Sequence, residues 1–547
     1  MSVNYLTPLD YLYQWEKKSP KKIYLRQPRN RVWQEYSWQQ VADEARRMAA
    51  AMQALKVKKG DRVAIISKNC AEWIIADLAI MMVGGISVPL YPTQSDDSMA
   101  YVLQHSGACL VFVGKLDNPQ HIQNIIPNTI KKVGFNYNGI KAPLMWNDLI
   151  AKYAPTTKPY HPTMADIFTI VYTSGTTGYP KGVVHDFAGA SFAATHGVKT
   201  FNFDADKHSM SYLPLAHIAE RVLVELPSIY AGFTVSFSES LATFAEDLRM
   251  VSPTSFFSVP RLWTKFQMGI LEKMPQKKLN VLLSIPLVSS LVKRKIRQGL
   301  GLDNATMFIS GAAPLAVSVL EWFGRLGINI QEGYGMSENL AYGTFNPVSD
   351  IRFGSVGKCF YQGQVKISHE GEILFKSPAN MKGYYLDDEK TQEVFQDGFY
   401  CTGDKGEICS DGYLTITGRI KDTFKTSKGE FITPTIIEEL LCENTNIEQV
   451  CVLGLGLPQP LALVVLSAQA QNRPNEEVTQ ELKATYLSVN KILKSHEVLN
   501  GLLVVKDEWL PENGLMTPTL KVKRNEVAEH YQALVTKYSE VKAVVWE

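Results

Sequence analysis

Cysteine is scarce in these 547 residues, and no two cysteines form a C-x-x-C pair. The seven fall at positions 70, 109, 359, 401, 409, 442 and 451. An odd count without paired spacing argues against a disulfide framework and a structural zinc site. Reduced, mostly buried thiols are the expectation. The chain also lacks an excess of charge of either sign: 56 Lys and Arg stand against 54 Asp and Glu. A net charge of +2 creates no global field to recruit nucleic acid. The opening residues MSVNYLTPLDYLYQWEKK carry no apolar leader segment. The longest apolar run, VLLSIPLVSSLV at 281–292, is too short to span a bilayer and contains Pro286. Lys277, Lys278, Lys293, Arg294 and Lys295 flank it. A surface helix pair packed on the core is the favoured reading. Rest on an anionic membrane through 277–297 is the alternative. The expected location is cytoplasmic, with peripheral membrane contact as the one addition.

What is present reads as an α/β chain of two or three domains, because this length exceeds one hydrophobic core. Ser37 is placed to cap a helix in which Val41, Ala45, Met48, Met52 and Leu55 recur every three or four residues, ending at Gly60-Asp61. Strands at 62–67, 86–91 and 109–113 alternate with helices at 70–83 and 97–105. That rhythm predicts a parallel sheet covered on both faces. Frequent glycines between 349 and 418 predict a barrel-like antiparallel part. Strands at 448–453, 461–466 and 502–505 predict a small terminal α+β domain. No internal repeat or low-complexity tract interrupts this order.

The segment YTSGTTGYPKGVV at 172–184 follows a β-branched strand pattern. Thr173, Ser174, Thr176 and Thr177 offer hydroxyls. Gly175, Gly178 and Gly182 let backbone N–H groups approach an anion, and Lys181 adds a positive charge. Neither the Walker A spacing nor the Rossmann G-x-G-x-x-G fits. The composition points to polyphosphate binding. Further on, Tyr334 in QEGYGMSE (331–338) offers a flat face for a purine, and Glu338 suits Mg²⁺, which takes oxygen ligands together with substrate phosphates.

On TSGTTGYPKG the chain resembles the adenylate-forming superfamily of acyl-CoA synthetases, luciferases and adenylation domains. LPLAHIAER (213–221), SGAAPL (310–315) and MTPTLKVKR (516–524) are most similar to long-chain fatty acyl-CoA synthetases. The resemblance covers nearly the whole chain. It implies an N-terminal adenylation domain over 1–420 and a mobile C-terminal domain over 421–547, with a hinge at Lys421. It implies that the loop residues bind ATP together with Gly311, Ala312, Ala313, Glu332, Gly333, Tyr334, Gly335, Met336 and Ser337. Asp404 in YCTGD is expected to hold the ribose hydroxyls and Arg419 to add a nucleotide contact. Thr173 and Glu338 are the implied Mg²⁺ ligands. Lys521 is the implied catalytic lysine, stabilising charge on the phosphoryl oxygens as a carboxylate displaces pyrophosphate. His217 borders the acyl-adenylate site in this reading, with no acid–base role. Ser427, Lys428 and Gly429 would face the thioester-forming site once the domain rotates.

The same resemblance implies ATP, Mg²⁺ and coenzyme A as cosubstrates and cofactor, and a fatty acid as substrate. Ala216, Ile218, Ala219, Ala312 and Ala313 are candidate walls for the acyl chain. Ala219 stands where long-chain relatives carry a bulkier residue, Phe399 where Trp is frequent and Met516 where Leu is frequent. Fatty acyl-AMP ligases, which load an acyl carrier protein, carry an insertion before the ribose motif. The compact stretch 343–383 lacks one, which favours CoA as acceptor.

Overall fold

A computed structural model describes residues 5–173, 179–517 and 521–547. Local signals start the fold where the sequence places them. The Ser37 hydroxyl accepts from the Gln40 N–H, and the Gln40 side chain accepts from the Ser37 N–H, starting the helix Trp38–Ala54. This reciprocal cap satisfies two donors that the first helical turn leaves free. Val41, Ala45, Met48 and Met52 then line the core face. The helix ends at Ala54, before the predicted Gly60-Asp61 stop, because Lys56 turns the chain at φ +65°.

The largest sheet has eight strands. Arg62–Ile66, Ile86–Leu90, Leu110–Val113 and Lys131–Gly134 run parallel, and Ile167–Thr173 joins parallel to Ile86–Leu90. The edge then reverses. Lys181–Asp186 pairs antiparallel with Ile167–Thr173, and Gly383–Tyr384 pairs antiparallel with Lys181–Asp186. Against this sheet the helix Ala71–Met82 is buried along every residue, as an apolar surface all round a helix requires.

A cluster of charged groups lies inside this core. Arg221 is fully buried and bonds Asp77 at 2.5 Å, Glu225 at 2.7 Å and the Thr169 hydroxyl at 2.9 Å. It opens a π-helical turn, Arg221–Glu225, directly after the His217-capped turn Ile218–Glu220. A guanidinium removed from water needs such partners, since burial of an unpaired charge is strongly unfavourable.

A second parallel set comprises Ser255–Ser258, Met307–Ser310 and Ile330–Tyr334. The predicted antiparallel part is a five-stranded sheet of Gln364–Ile367, Glu372–Lys376, Phe395–Gln396, Phe399–Ile408 and Leu414–Arg419. The C-terminal unit builds its own sheet from Ile447–Leu453, Leu461–Leu466, Leu502–Val505 and Val544–Trp546, with separate apolar cores on its two faces. It meets the N-terminal unit through an ion pair: Arg261 Nε lies 2.6 Å from Glu448 Oε1. All seven cysteines are free, but only Cys70 and Cys451 are buried; Cys409 and Cys442 are exposed. The expectation of mostly buried thiols is corrected, because these positions fall on turns and helix ends rather than core faces.

Arg221→Ala is expected to cost about 3–5 kcal/mol of N-terminal unit stability, because Asp77 and Glu225 would stay buried without their cation. Guanidinium denaturation checks this, and an unchanged midpoint would contradict it.

Candidate active site

Thr173 and Lys181, at the two ends of the phosphate-loop candidate, face each other across antiparallel strands. Ser174, Gly175, Thr176, Thr177 and Gly178 lie outside the described residues. Lys181 Nζ sits 5.4 Å from the centre of the Tyr384 ring. Burial lowers its pKa, and the nearby ammonium groups of Lys390 and Lys421 lower it further. Lys390 and Lys421 are within electrostatic reach of Lys181, and the carboxylates of Asp387 and Glu393, the latter paired with Lys390, oppose them.

Glu338 opens the short turn Ser337–Asn339. Two contacts place it beside this strand pair. His185, on its second strand, donates Nε2–H to the Ser337 carbonyl at 2.7 Å. The Glu338 carbonyl accepts from the Met381 N–H at 2.7 Å. The Tyr384 hydroxyl donates to the Glu338 carboxylate at 3.1 Å. Burial raises the Glu338 pKa despite that bond. A carboxylate whose charge is disfavoured by burial is one that a divalent cation would stabilise. Among the described residues no cluster of three His, Cys, Asp or Glu could hold a metal. Mg²⁺ needs none where one carboxylate, a hydroxyl and substrate phosphates supply the oxygens. Glu338 and Thr173 fit that donor set.

Asp404 and Arg419 are register partners on neighbouring antiparallel strands. Arg419 Nε donates to Asp404 Oδ1 at 2.8 Å, and the Tyr334 hydroxyl donates to Asp404 Oδ2 at 2.5 Å. Each carboxylate oxygen has a second lone pair, so Asp404 retains capacity for two further donors. Tyr334 is therefore tied by its hydroxyl, leaving its ring as the available surface.

The ends of Met307–Ser310 and Ile330–Tyr334 lie side by side, with Ser310 opposite Glu332. Gly311 approaches Gly333 so closely that an added Cβ would lie 3.1 Å from the Gly333 carbonyl oxygen. Ala312 adopts φ +67°, a left-handed conformation that is unfavourable for a residue with a Cβ. A Cβ on Gly335 would come within 2.6 Å of the Ala341 backbone. Met336 and Ser337 continue this turn into Glu338, and the Met336 N–H donates to the Asn339 side chain at 2.9 Å. The Glu332 carboxyl is pushed up to about 7 by burial and by Glu439, which the C-terminal unit supplies. Ala216, Ile218 and Ala219 are packed inside the protein, whereas Ala313 is exposed.

Lys521 comes from the C-terminal unit. Its N–H donates to the Thr517 hydroxyl at 3.0 Å and its carbonyl accepts from the Thr517 N–H at 2.8 Å. Its side chain is open to solvent, yet the surrounding cleft wall lowers its pKa. Arg419 lowers it further, while Asp404 and Glu338 act in the opposite direction. The charges of Arg419, Asp404 and Glu338 in the N-terminal unit are therefore within electrostatic reach of Lys521. His217 lies on the same side. Burial, with Lys521 adding to it, holds the ring neutral down to about 4. Its Nδ1 accepts from the Ala219 N–H at 3.1 Å, which leaves the proton on Nε2.

Lys421 stands exposed just after Arg419. Ser427, Lys428 and Gly429 form the exposed tip of the hairpin joining Phe424–Lys425 to Phe431–Ile432. In this arrangement Lys521 is within electrostatic reach of the carboxylates. Sequence reasoning missed Tyr384, His185, Lys390 and Arg261. The one available signal was for Tyr384, which follows Gly383 in a Gly-Tyr-Tyr run after a glycine-rich stretch.

A nucleotide-type site on a two-unit α/β scaffold is the class these features define. Residues 12–385 match the family model described as AMP-binding enzyme, and residues 421–542 match the AMP-binding enzyme C-terminal domain. The chain belongs to the AMP-binding enzyme family. It is 27% identical to the long-chain-fatty-acid–CoA ligase FadD15 of Mycobacterium bovis, across 95% of each chain. It is 29% identical to long-chain-fatty-acid–CoA ligase 5 of Rattus norvegicus, across 92% of this chain and 84% of the relative. Its fold is similar to that of the anthranilate CoA ligase AuaEII in complex with anthranoyl-AMP. The TM-score there is 0.79 at 22% identity, covering 97% and 98% of the two chains. The adenylation domain of a carboxylate reductase from Mycobacterium chelonae gives 0.83 at 20% identity, covering 98% and 91%.

An NMR titration of His217 is expected to show a ring that charges only near pH 4, and Lys521→Ala is expected to raise that value. Charging near the ordinary histidine value of about 6.5 would contradict the burial described.

Proposed function

We propose that this protein joins a carboxylic acid, best read as a long-chain fatty acid, to coenzyme A through an acyl-AMP. The observation that carries the reading is the electrostatic reach between Lys521 and the Asp404, Arg419 and Glu338 group. A cation of one unit feels the carboxylates of the other, and a nucleotide's charge would lie between them.

In the first half-reaction an oxygen of the acid's carboxylate bonds to the α-phosphorus of ATP, and the bond to pyrophosphate breaks. Asp404 accepts from the ribose hydroxyls on its free lone pairs, and the Tyr334 ring lies against the purine. Lys181, with Lys390 and Lys421 nearby, holds the departing pyrophosphate. Glu338 and Thr173 would hold Mg²⁺, which supplies positive charge to the phosphates. Lys521 places its ammonium against the phosphoryl oxygens as their charge rises. His217, uncharged at neutral pH, contributes a fixed Nε2–H donor and moves no proton.

In the second half-reaction a thiol, having lost its proton, attacks the acyl carbonyl, and the bond to AMP breaks. Lys521 must then leave the site. Lys421, in the short connection between units, is the proposed pivot, and the Ser427–Lys428–Gly429 tip would replace Lys521 beside the thiol. The compact 343–383 stretch supports CoA over a carrier protein as acceptor. The long-chain reading rests on the relatives and on the LPLAHIAER segment.

A panel of carboxylic acids of graded length, with ATP and either CoA or a phosphopantetheinyl carrier protein, tests this reading. AMP release that requires a long acyl chain and free CoA is expected. Turnover with the carrier alone would replace the acceptor, and preference for a short aromatic acid would replace the substrate. Lys521→Ala is expected to slow adenylation at least about 100-fold, in the range of a lost transition-state donor. Conversion of supplied acyl-AMP to thioester should be little changed, whereas equal loss of both steps would refute the role.

The pH dependence follows from the lowered Lys521 pKa. The ammonium acts only while protonated, so adenylation should fall on the alkaline side below the ordinary lysine value of about 10.4. Lys521→Arg should remove that limb. A profile unchanged by the substitution would contradict the assignment.

A further inference from the structure

The two helices Gln276–Ser284 and Pro286–Leu300 carry an exposed apolar surface that the adenylation chemistry does not use. They meet at Ile285. Leu279 and Ile296 are buried, and Leu283 and Val292 pack on the same apolar cluster, so the pair is anchored to the protein through one face. That much agrees with the favoured sequence reading of a surface helix pair. The outward face does not. Val281, Ile285, Leu287 and Leu291 are exposed, Leu287 by 84%. Isolated exposed leucines are ordinary, but four large apolar side chains within eleven residues are a patch.

Charge gives the patch its partner. From residue 273 to residue 302 there are seven Lys and Arg and no Asp or Glu, against a net +2 for the whole chain. The rest of the molecule is therefore net negative. Arg297 is engaged with the carbonyls of Leu302, Asp303 and Ala305. Lys277, Lys278, Lys293, Arg294 and Lys295 make no ion pair among the described residues. Residues four apart share a helix face, so Val281 follows Lys277 on one helix, and Leu287, Leu291 and Lys295 line up on the other. The apolar side chains sit on both sides of the bend, with Lys277 and Lys278 at the start of the first helix and Lys293, Arg294 and Lys295 midway along the second. At about 1.5 Å of rise per residue, Lys277 lies about 6 Å along the axis from Val281, and Lys295 about 6 Å from Leu291. This order suits a pair of helices lying on a bilayer, with apolar side chains below the headgroups and ammonium groups among the phosphates. A second copy docking through the same face is a poorer partner, because it would set like charges against each other.

We infer that the Gln276–Ser284 and Pro286–Leu300 pair is a docking surface for an anionic lipid bilayer. No helix among the described residues is long and apolar enough to cross a membrane, so the contact is peripheral. Binding is independent of the acid that the protein activates, and its test uses neither ATP nor acid. Its failure would leave the proposed reaction standing, and the reverse also holds.

The test is sedimentation of the full chain with phosphatidylcholine vesicles, with and without about 30% phosphatidylserine. The protein is expected to pellet with the anionic vesicles at low salt, to stay largely in solution with neutral ones, and to be released as salt rises. The double variant Leu287→Ser, Leu291→Ser is expected to lower the partition at least about tenfold by losing buried apolar surface. Lys293→Glu, Arg294→Glu, Lys295→Glu should abolish the preference for anionic vesicles. This second variant keeps the test decisive if the first misfolds, as read by circular dichroism. A wild-type chain that stays in solution with anionic vesicles would overturn the inference, as would folded variants that partition like wild type.

Discussion

The proposed site depends on one lysine of a separately packed C-terminal unit lying within electrostatic reach of carboxylates on the other unit. Asp404 and Glu338 belong to strand and turn positions of the large unit, and each is already held by a tyrosine hydroxyl. Lys521 belongs to the small unit, whose sheet and apolar cores are its own. Its ammonium is lowered by the cleft and by Arg419, and raised by the two carboxylates. Opposing influences of this kind keep the lysine responsive to whatever charge enters between the units. A polyphosphate arriving beside Lys181, Lys390 and Lys421 would change that balance at once. The Arg261–Glu448 ion pair, also between units, is only partly buried, so it favours this arrangement without locking it.

The rest of the scaffold serves to bring distant segments to one edge. The reversed edge of the eight-stranded sheet is the main device. Because Lys181–Asp186 returns antiparallel and Gly383–Tyr384 adds beyond it, Lys181, Tyr384 and the Glu338 turn come together from three parts of the chain. The buried Arg221, Asp77 and Glu225 cluster supports the other side, below the segment that carries His217. A π-helical turn there is a local irregularity of a kind frequent at functional sites.

Much of this was legible from residue order. The strands at 461–466 and 502–505 were readable because buried strands are continuous apolar runs. Ser37 announced its helix through capping chemistry. Asp404, Arg419 and Lys521 were proposed through resemblance; Asp404 and Arg419 form an ion pair, and Lys521 is within electrostatic reach of both. Tyr384 was not found, because its role arises from pairing with a strand about 200 residues earlier. His185 was missed for a similar reason: its partner is a backbone carbonyl, which no side-chain pattern reveals. Thiol burial was misjudged because Cys409 and Cys442 lie at a turn and a helix end, where composition says nothing of exposure.

The most direct measurement of the central claim is exchange of labelled pyrophosphate into ATP, with and without a carboxylic acid and in the absence of any thiol. Reversible adenylation predicts exchange that requires the acid and disappears in Lys521→Ala. Exchange independent of every acid, or none with any chain length, would contradict it.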